Sequence, residues 1–513
     1  MATSCAVRRA AVILGALALL AAGSPPPPAR AAPFPVTVGA PFGRPVASGF
    51  LGLALEYRSI PQWIGAGPSG ADPVLVQLIR NLVPGGRPVL RIGGQSTDRT
   101  WWPVPGLRRP IGITYDLTPQ WIADARALAQ ATDARLLLGV GLEADQPRID
   151  AVEATQLLRG LGGRYVDALE LGNEPELYTL VPWYRRLNGV AVPWYSQTGT
   201  PVLARGPGYD PAAFYGEFAR TLAVLPRAPI AAPDTGLVPW LDGIRPFLSA
   251  GSRVRIVTWH AYALSQCVTD ATSPDYPTVP NLLLPAASHN LVSGIAPIVS
   301  LAHAVGAGFR IDEMNSVTCN GRAGVSNTFA SALWLMDGLF SIAAAGVDGV
   351  NIHTYPGAAN GLFDLARAGG TWDAVVHPLY YGALMFAQAA PPGSRLLAIQ
   401  SPPQAAIRAW ATIAPDHRIR VLLINDSLTA AARVSVRVPA GRGAASVERL
   451  VGRSAYATSD ISLGGATFAP QTPTGLLAAP RTAVIAQRAG AYAITLPATS
   501  AALVTMSSIS LPA

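Results

Sequence analysis

The sequence contains no lysine, so each of its 38 Lys+Arg residues is an arginine. This absence excludes a Schiff-base lysine, a pyridoxal-phosphate anchor and the lysine of a phosphate-binding loop. Cysteine and histidine are also scarce, with 3 and 6 residues. The histidines are dispersed and neither H-E-x-x-H nor C-x-x-C occurs, so we expect no catalytic metal and no cofactor. A G-x-S-x-G elbow is absent too, which argues against a serine esterase.

Long apolar runs are missing beyond the N terminus, and the charge balance is only mildly basic. The stretch FASALWLMDGLFSIAAAG is interrupted by Asp337 and predicts one buried helix, so we expect no stable membrane span. The net charge is +8 and the arginines are scattered, which argues against a nucleic-acid partner. Mild basicity suits an anionic glycan or a bacterial wall, and an arginine-biased composition produces it equally well.

Residues 1–31 have the pattern of a secretory signal peptide. A cationic stretch precedes the apolar run AAVILGALALLAAG, and an ARAA site with small residues follows. The run is shorter than the roughly 20 residues that span a bilayer, which favours a signal over the alternative, an uncleaved anchor. We therefore expect a secreted, extracellular protein of bacterial origin. Cys5 is lost with the signal, so Cys267 and Cys319 remain as candidates for one disulfide in an oxidising compartment.

Residues 32–390 alternate short aliphatic runs with longer segments of helical spacing. This order predicts a (β/α)8 TIM barrel, because an open doubly wound sheet, the alternative, has fewer strands than the chain provides. One predicted helix begins after Thr118, which caps it, with Pro119 in its first turn. The eight strand-like runs are FLGLALEY, PVLRIGG, ARLLLGVGL, VDALELGN, APIAAPD, VRIVTWHAY, FRIDEMN and GVDGVNIHT.

After PPG at 391–393 the pattern changes to short alternating strands between turns. Such strands predict an antiparallel β-sandwich over residues 391–513. The segment FPVTVGA precedes the first barrel strand and could add a strand to this second domain. The expected organisation is therefore a signal peptide, a barrel and an accessory β-domain.

Polar residues gather where the barrel strands end, and the active site of a TIM barrel lies at the C-terminal ends of its strands. Glu174 in LELGNEPELY closes the fourth strand, and Glu313 in FRIDEMNS closes the seventh. In a closed barrel these ends face each other across the mouth. Cleavage of a glycosidic bond needs two carboxyl groups, and a separation of about 5–5.5 Å permits a covalent, retaining mechanism. We therefore interpret these glutamates as a catalytic pair, with Glu313 ionised and Glu174 protonated.

Other residues compete for these roles or have simpler explanations. A glutamate at a strand end also serves to solvate a turn or to pair with an arginine. Glu143, at the end of the third strand, is a rival carboxylate, whereas strand alternation predicts that Asp312 points to the face opposite Glu313. Trp101 and Trp102, after the second strand, either stack on a sugar or cover the core.

Several stretches resemble a known family. Asn-Glu at the fourth strand with a glutamate at the seventh resembles the clan A retaining glycoside hydrolases. LRIGGQSTD, LELGNEPELY, TWHAY and the long run EMNSVTCNGRAGVSNTFASALWLMDGLFSIAAAGVDGVNIHT are similar to glycoside hydrolase family 79, the β-glucuronidase and heparanase group. The resemblance covers most of the barrel, and the C-terminal domain is similar to the accessory β-domain of that family.

The resemblance implies roles for the site residues and an activity. Glu174 would be the general acid/base and Glu313 the nucleophile. Asn173 would hydrogen-bond the sugar 2-hydroxyl, and Tyr262 would orient the nucleophile. Further candidates for donors to the nucleophile or for substrate contacts are Arg91, Gln95, Ser96, His260, Asn315 and Tyr355. The implied activity is that of a secreted exo-β-glucuronidase acting on a glycan or glycoside.

One stretch departs from the family pattern. The glucuronidases carry an aromatic residue shortly after the Asn-Ser that follows the nucleophile, and it helps to hold the substrate carboxylate. This chain has Val-Thr-Cys at 317–319. Backbone amides in residues 320–324, Arg322 or Tyr355 are candidates to replace it, because a carboxylate needs charged or convergent donors. Two other hypotheses stay open: a hydrolase of a neutral β-glycoside (xyloside, glucoside or arabinofuranoside) and a non-catalytic glycan-binding protein.

Overall fold

The computed structural model describes residues 32–64, 70–368, 370–403, 406–438 and 443–506. The predicted signal peptide, residues 1–31, lies outside these ranges. Within the described ranges, every helix is too short or too polar to cross a membrane. Two units are visible, a barrel and a sheet domain.

Eight parallel strands close into a barrel, which confirms the predicted TIM-barrel fold. The last of them, Gly349–His353, pairs with the first, Leu51–Glu56, and this pairing excludes the open sheet. The strands form because runs of aliphatic residues are buried on both faces; all five residues of Val89–Gly93 are buried. In chain order the strands are Leu51–Glu56, Val89–Gly93, Arg135–Val140, Val166–Leu171, Ile230–Thr235, Val254–Leu264, Gly308–Val317 and Gly349–His353.

Helices surround the barrel, and one of them begins where the sequence predicts. Thr118 Oγ1 accepts a 3.1 Å hydrogen bond from Trp121 N, and Pro119 occupies the first turn. The α-helices are Ser59–Ile64, Pro73–Leu82, Pro119–Thr132, Pro147–Leu161, Pro211–Val224, Val238–Asp242, Val279–Leu282, Pro285–His289, Ala296–Ala304, Phe329–Ala344 and Pro378–Ala389. Short 3-10 helices span Gly94–Arg99, Pro175–Leu177, Arg245–Phe247 and Asn290–Val292.

The second unit is a ten-stranded, mainly antiparallel sheet, which confirms the predicted β-domain. The segment Phe34–Phe42 belongs to it, because it pairs antiparallel with Arg395–Gln400 and parallel with Ala432–Arg437. Ala444–Val451 and Ser462–Leu463 were not predicted. The remaining strands are Ile407–Ile413, Ile419–Asn425, Ala483–Ala486, Tyr492–Leu496 and Ser500–Met506.

The two units are joined through the helix Phe329–Ala344. Asp337, the residue that interrupts its apolar run, accepts a 2.7 Å hydrogen bond from Trp410 Nε1 and lies 3.4 Å from Arg408 Nε. Phe340 of the same helix stacks on Trp410 with ring centroids 5.4 Å apart. An acid in an apolar helix is thus explained by contacts with the sheet domain.

Loops after the barrel strands carry additional strands. A three-stranded sheet, Pro182–Leu187, Val190–Val192 and Thr200–Leu203, follows the fourth barrel strand. A hairpin, Phe363–Ala368 with Thr371–Val376, follows the eighth strand, and Thr100–Trp101 pairs with Tyr115–Asp116 after the second. Trp194 and Tyr195 of the first of these insertions line a cavity at the barrel mouth.

Candidate active site

The fourth and seventh barrel strands bring Glu174 and Glu313 together. One carboxylate oxygen of each lies within 4.8 Å of the other and of a ring nitrogen of His260. Glu174 has a left-handed φ of 48°, and its N–H donates to Asp234 O at 2.8 Å, so the backbone turn that presents this carboxyl is tied to the neighbouring strand. The side chain of Glu174 is 20% exposed and that of Glu313 is 6% exposed.

Three groups hold the carboxylate of Glu313. Arg91 Nη1 donates to Oε2 at 2.6 Å, and the Tyr262 hydroxyl donates to Oε1 at 2.6 Å. His353 Nδ1 lies 3.2 Å from Oε1. Burial by itself would raise the pKa of Glu313, but His353, His260 and Arg91 hold this pKa well below its ordinary value. Glu313 is therefore ionised at neutral pH, as a nucleophile requires.

His260 links the acid/base candidate to the base of the site. Its Nδ1 lies 3.0 Å from Glu174 Oε1, and its Nε2 lies 3.3 Å from Asp234 Oδ1. Burial would lower the pKa of His260, but the charges of Glu313 and Asp234 outweigh burial and raise it well above its ordinary value. The two ring nitrogens of His260 thus connect Glu174 to Asp234.

Arg91 is the centre of the charge network. Its guanidinium is fully buried and donates to Glu170 Oε2 at 2.8 Å, to Asp234 Oδ2 at 2.6 Å and to Asn173 Oδ1 at 2.9 Å, in addition to Glu313. The backbone N–H of Asn173 donates to Asp98 Oδ2. Because Oδ1 and the backbone N–H of Asn173 are already hydrogen-bonded, its Nδ2 amide is the group that can donate to a ligand.

Asp312 does not point away from the site, contrary to the alternation argument. It lies 3.6 Å from Arg91 Nε and 3.8 Å from His260 Nε2. The pairing of the sixth and seventh strands shifts register between Trp259 and His260, and this irregularity turns both Asp312 and Glu313 toward the barrel interior. Burial and the charge of Asp234 raise the pKa of Asp312 well above its ordinary value.

Two predicted substrate residues are hydrogen-bonded to the backbone. The side-chain amide of Asn315 donates to the carbonyl oxygens of His353 and Asn360, and the residue is fully buried. Ser96 Oγ accepts from Tyr57 N and donates to Gly93 O, but Ser96 also lines a cavity at the barrel mouth. Asn315 therefore belongs to the framework, whereas a substrate role for Ser96 stays a prediction.

Glu56 lies in the site, although no role was predicted for it from the sequence. Its Oε1 lies 3.2 Å from His353 Nε2, and its Oε2 accepts from Ser96 N at 2.8 Å. Gly94, with φ 69°, approaches this carboxylate so closely that a Cβ there would clash with it. The signal that could have identified Glu56 is its position at the end of the first barrel strand.

A cavity of about 400 Å³ opens beside Glu56. The predicted residues Gln95 and Tyr355 line it, and the Tyr355 hydroxyl donates to Asn320 Oδ1. No sequence motif indicated the other lining residues. These are Arg58, Ser59, Gln62, Arg99, Thr114, Trp194, Tyr195 and Pro356.

The remaining candidates lie elsewhere. Glu143 is buried against Arg99, and burial raises its pKa to about 8. Trp101 is packed in a core cluster, with Nε1 donating to Asp116 at 2.7 Å, so it covers the core. The predicted disulfide is not formed in the structure: Cys267 and Cys319 are free, exposed thiols that lie close enough to interact.

Solved structures match the fold over most of the chain. A 4-O-α-L-rhamnosyl-β-D-glucuronidase from Fusarium oxysporum 12S is 19% identical with a TM-score of 0.67, and the match covers 92% of this chain and 99% of that one. A GH51 arabinofuranosidase from Xanthomonas axonopodis pv. citri is 15% identical with a TM-score of 0.62, covering 92% and 100%. A GH30 endoxylanase from Clostridium papyrosolvens C71 is 14% identical with a TM-score of 0.50, covering 92% and 100%.

No protein-family profile matches the chain, and no curated protein matches it either. The matched structures are glycoside hydrolases, and at these identities they establish the shared fold. An activity for this chain therefore rests on the geometry of its own site. Its similarity to family 79 stays a prediction.

Proposed function

We propose that this chain is a secreted retaining β-glycoside hydrolase that cleaves a β-glucuronide. The observation that carries the proposal is the approach of the Glu174 and Glu313 carboxylates to within 4.8 Å. Retaining enzymes place their two carboxyl groups about 5–5.5 Å apart, whereas inverting enzymes leave about 6.5–9.5 Å for a water molecule. The spacing favours a covalent mechanism.

In the first step Glu313 attacks the anomeric carbon, and the bond from that carbon to the leaving oxygen breaks. Glu174 gives its proton to the leaving oxygen, so the aglycone departs as a neutral alcohol. His260 Nδ1 lies 3.0 Å from Glu174 Oε1, which leaves Oε2 to carry the proton that is transferred.

In the second step a water molecule replaces the aglycone. Glu174, now ionised, accepts a proton from this water as the oxygen attacks the anomeric carbon, and the bond to Glu313 breaks. The returning negative charge on Glu313 is received by Arg91 on Oε2 and by Tyr262 on Oε1. These donors are already in place, so the departing carboxylate needs no reorganisation of the site.

A uronide substrate needs donors for its carboxylate, and the loop after the seventh strand supplies them. Arg322 stacks on Tyr276, and the backbone N–H groups of Gly321 and Gly324 have acceptors within the loop. Among the described residues, the N–H groups of Cys319 and Asn320 have no acceptor, and both residues have positive φ. These two amides are the donors that we assign to the carboxylate.

Two observations support a second class of substrate, the neutral β-glycosides. The carboxylate of Glu56 faces the same region, and it suits the hydroxyls of a neutral sugar. One matched structure is named as a glucuronidase and others as arabinofuranosidase and xylanase. A neutral β-glycoside is therefore the second candidate.

The test is hydrolysis of p-nitrophenyl β-glucuronide beside the β-glucoside, the β-xyloside and the arabinofuranoside by the mature protein. Release from the glucuronide alone supports the whole proposal. Release from a neutral sugar keeps the catalytic pair and overturns the uronide. Absence of turnover together with absence of labelling of Glu313 by a 2-fluoro glycosyl fluoride would leave a glycan-binding protein and overturn the enzymatic proposal.

A further inference from the structure

A second cavity, the basal cavity, opens at the end of the barrel opposite the catalytic pair. Each of the eight strands contributes a lining residue from its first two positions or from the two residues before it. In contrast, Glu174 follows the end of the fourth strand, and Glu313 lies in the second half of the seventh. The volume of about 400 Å³ lies within the range of about 300–1,000 Å³ of ligand pockets.

Arg310 lines the basal cavity and is 6% exposed. Its Nε donates to Asn351 Oδ1, and its Nη2 donates to Gly49 O at 3.1 Å and to Val350 O at 3.2 Å. Its Nη1 donates to Gly49 O at 3.1 Å. These acceptors are neutral, and the guanidinium forms no salt bridge with any residue that the structure describes.

The positive charge of Arg310 is poorly compensated. Burial lowers its pKa, and the charge of Arg135 lowers this pKa further, to about 9. Asp312, Asp167 and Asp348 act in the opposite direction without outweighing burial. A buried charge is costly unless an opposite charge pairs with it. An anion in the basal cavity would supply that opposite charge.

The acids that line the basal cavity are already paired with basic side chains. Asp348 Oδ2 lies 2.8 Å from His303 Nε2, and its Oδ1 lies 3.5 Å from Arg44 Nε. Asp167 Oδ2 lies 3.2 Å from Arg135 Nη1. Because both carboxylates are engaged in these pairs, neither is left to balance a further arginine.

Two arginines of the basal cavity retain hydrogen-bond donors. Arg255 is exposed, and its guanidinium has no partner among the residues that the structure describes. Arg310 Nη1 carries two N–H groups and makes one hydrogen bond within the described chain, to Gly49 O. The fork of an arginine matches an oxyanion, which accepts from several N–H groups at once. We propose that the basal cavity binds a phosphate group between Arg255 and Arg310.

The position of the cavity determines what the bound anion should do. The lining comes from all eight strands, so the site exists only in the folded barrel. A ligand that binds only the folded state raises the free energy of unfolding. Because the catalytic pair lies at the other end of the barrel, the anion should not compete with a substrate. This inference goes beyond the proposed function and does not depend on it.

Isothermal titration calorimetry of the mature protein with inorganic phosphate tests the site, with the ionic strength held constant by chloride. We expect saturable binding at one site per chain. Thermal unfolding under the same conditions should show a rise in Tm of about 2 °C or more. Chloride at the same ionic strength should give no comparable rise, because screening by salt acts mainly on exposed charges.

The phosphate group has two possible sources, the free ion and a phosphate monoester of a small alcohol. Glycerol phosphate, titrated in the same way, distinguishes them. Tighter binding of this ester than of inorganic phosphate supports a phosphate group carried by a larger molecule. Tighter binding of inorganic phosphate supports the free ion.

Variants show whether the binding comes from the basal cavity. Arg255→Gln removes an exposed cation and should weaken phosphate binding about tenfold or more, because a hydrogen bond between charged groups is lost. Ala47→Glu places a carboxylate at the exposed rim of the cavity and should weaken the binding by repulsion. Arg433→Gln removes an exposed arginine of the sheet domain and is the matched control, with unchanged affinity.

The outcomes separate this inference from the proposed function. Absence of saturable phosphate binding overturns the site. Equal affinity of Arg255→Gln and Arg433→Gln overturns its assignment to the basal cavity. A rise in KM with phosphate at unchanged kcat would place the anion at the barrel mouth and would overturn the assignment as well. The titrations need no substrate, so the anion site and the glycosidase activity can fail independently.

Discussion

The guanidinium of Arg91 and the carboxylate of Glu313 lie 2.6 Å apart at the base of the barrel mouth. Arg91 comes from the second strand and Glu313 from the seventh. The same guanidinium also holds Glu170 and Asp234, so one cation organises the acids of three strands. The nucleophile candidate is thereby fixed by the group that also balances the buried charge beneath it.

Replacing Arg91 by methionine should destabilise the fold as well as the site. Its removal leaves buried carboxylates without their counter-charge, which costs about 3–5 kcal/mol. Urea unfolding followed by circular dichroism measures the loss. Arg245→Met, which breaks the half-exposed pair with Asp242, is the matched control and should change stability by less than about 1 kcal/mol. An Arg91→Met protein as stable as the control would contradict the role of Arg91 as the central cation.

Replacing Tyr262 by phenylalanine tests the donor on the other oxygen of Glu313. The loss of the 2.6 Å hydrogen bond should reduce kcat by about 10²–10³. The hydroxyl stabilises the ionised form of Glu313, so its removal raises the pKa of that carboxyl. The acid limb of the kcat/KM profile should therefore move to higher pH. An unchanged acid limb, measured beside Tyr456→Phe, would show that the hydroxyl does not act on Glu313.

The barrel could be predicted because its signals are local. Each strand is a short aliphatic run between turn residues, and Thr118 with Pro119 marks a helix start without reference to the rest of the chain. Glu174 and Glu313 could be paired because strand ends share one rim in a closed barrel. These features follow from rules of short range or of fold geometry, which a sequence alone can satisfy.

The details of the site could not be predicted in the same way. The inward direction of Asp312 depends on a register irregularity between two strands, and the alternation rule assumes that no such irregularity exists. Asn315 looks like a ligand residue in sequence, but its amide is consumed by two carbonyl groups from the following loop. Trp194 reaches the cavity from an insertion whose fold has no local signature.

The cysteines provide a test of the oxidation state. Cys267 and Cys319 are free thiols in the structure, yet their side chains interact, and the export that the sequence predicts would bring them into an oxidising compartment. We expect the bond to form in protein isolated from the culture medium. Mass spectrometry without reducing agent should find one peptide pair linked through these residues. Two alkylated thiols in native, unreduced protein would contradict the expectation.

His353 should make stability depend on pH above neutrality. Burial lowers its pKa, but Glu313 and Glu56 outweigh burial and raise the pKa to about 9, above the ordinary value of 6.5. The stabilisation is fully present below pH 6.5 and is lost as the pH rises through about 9. By linkage it amounts to at most about 3 kcal/mol. The difference in unfolding free energy between wild type and His353→Gln should shrink over this window, and a constant difference would contradict the prediction.

Azide rescue distinguishes the roles proposed for Glu174 and Glu313. In Glu313→Ala the space of the nucleophile is empty, so azide can attack the anomeric carbon from that side and give the α-glycosyl azide from a β-glycoside. In Glu174→Ala the covalent intermediate still forms from a p-nitrophenyl substrate, and azide then displaces Glu313 to give the β-glycosyl azide. Nuclear magnetic resonance of the products identifies the anomer.

The matched control is Glu143→Gln, whose carboxyl is buried against Arg99 outside the catalytic pair. It should hydrolyse the substrate without azide and form no glycosyl azide. If Glu313→Ala gave the β-glycosyl azide and Glu174→Ala gave the α-glycosyl azide, the two assigned roles would have to be exchanged. Full activity of Glu313→Ala without azide would refute the nucleophile, because the covalent step cannot occur without that carboxylate.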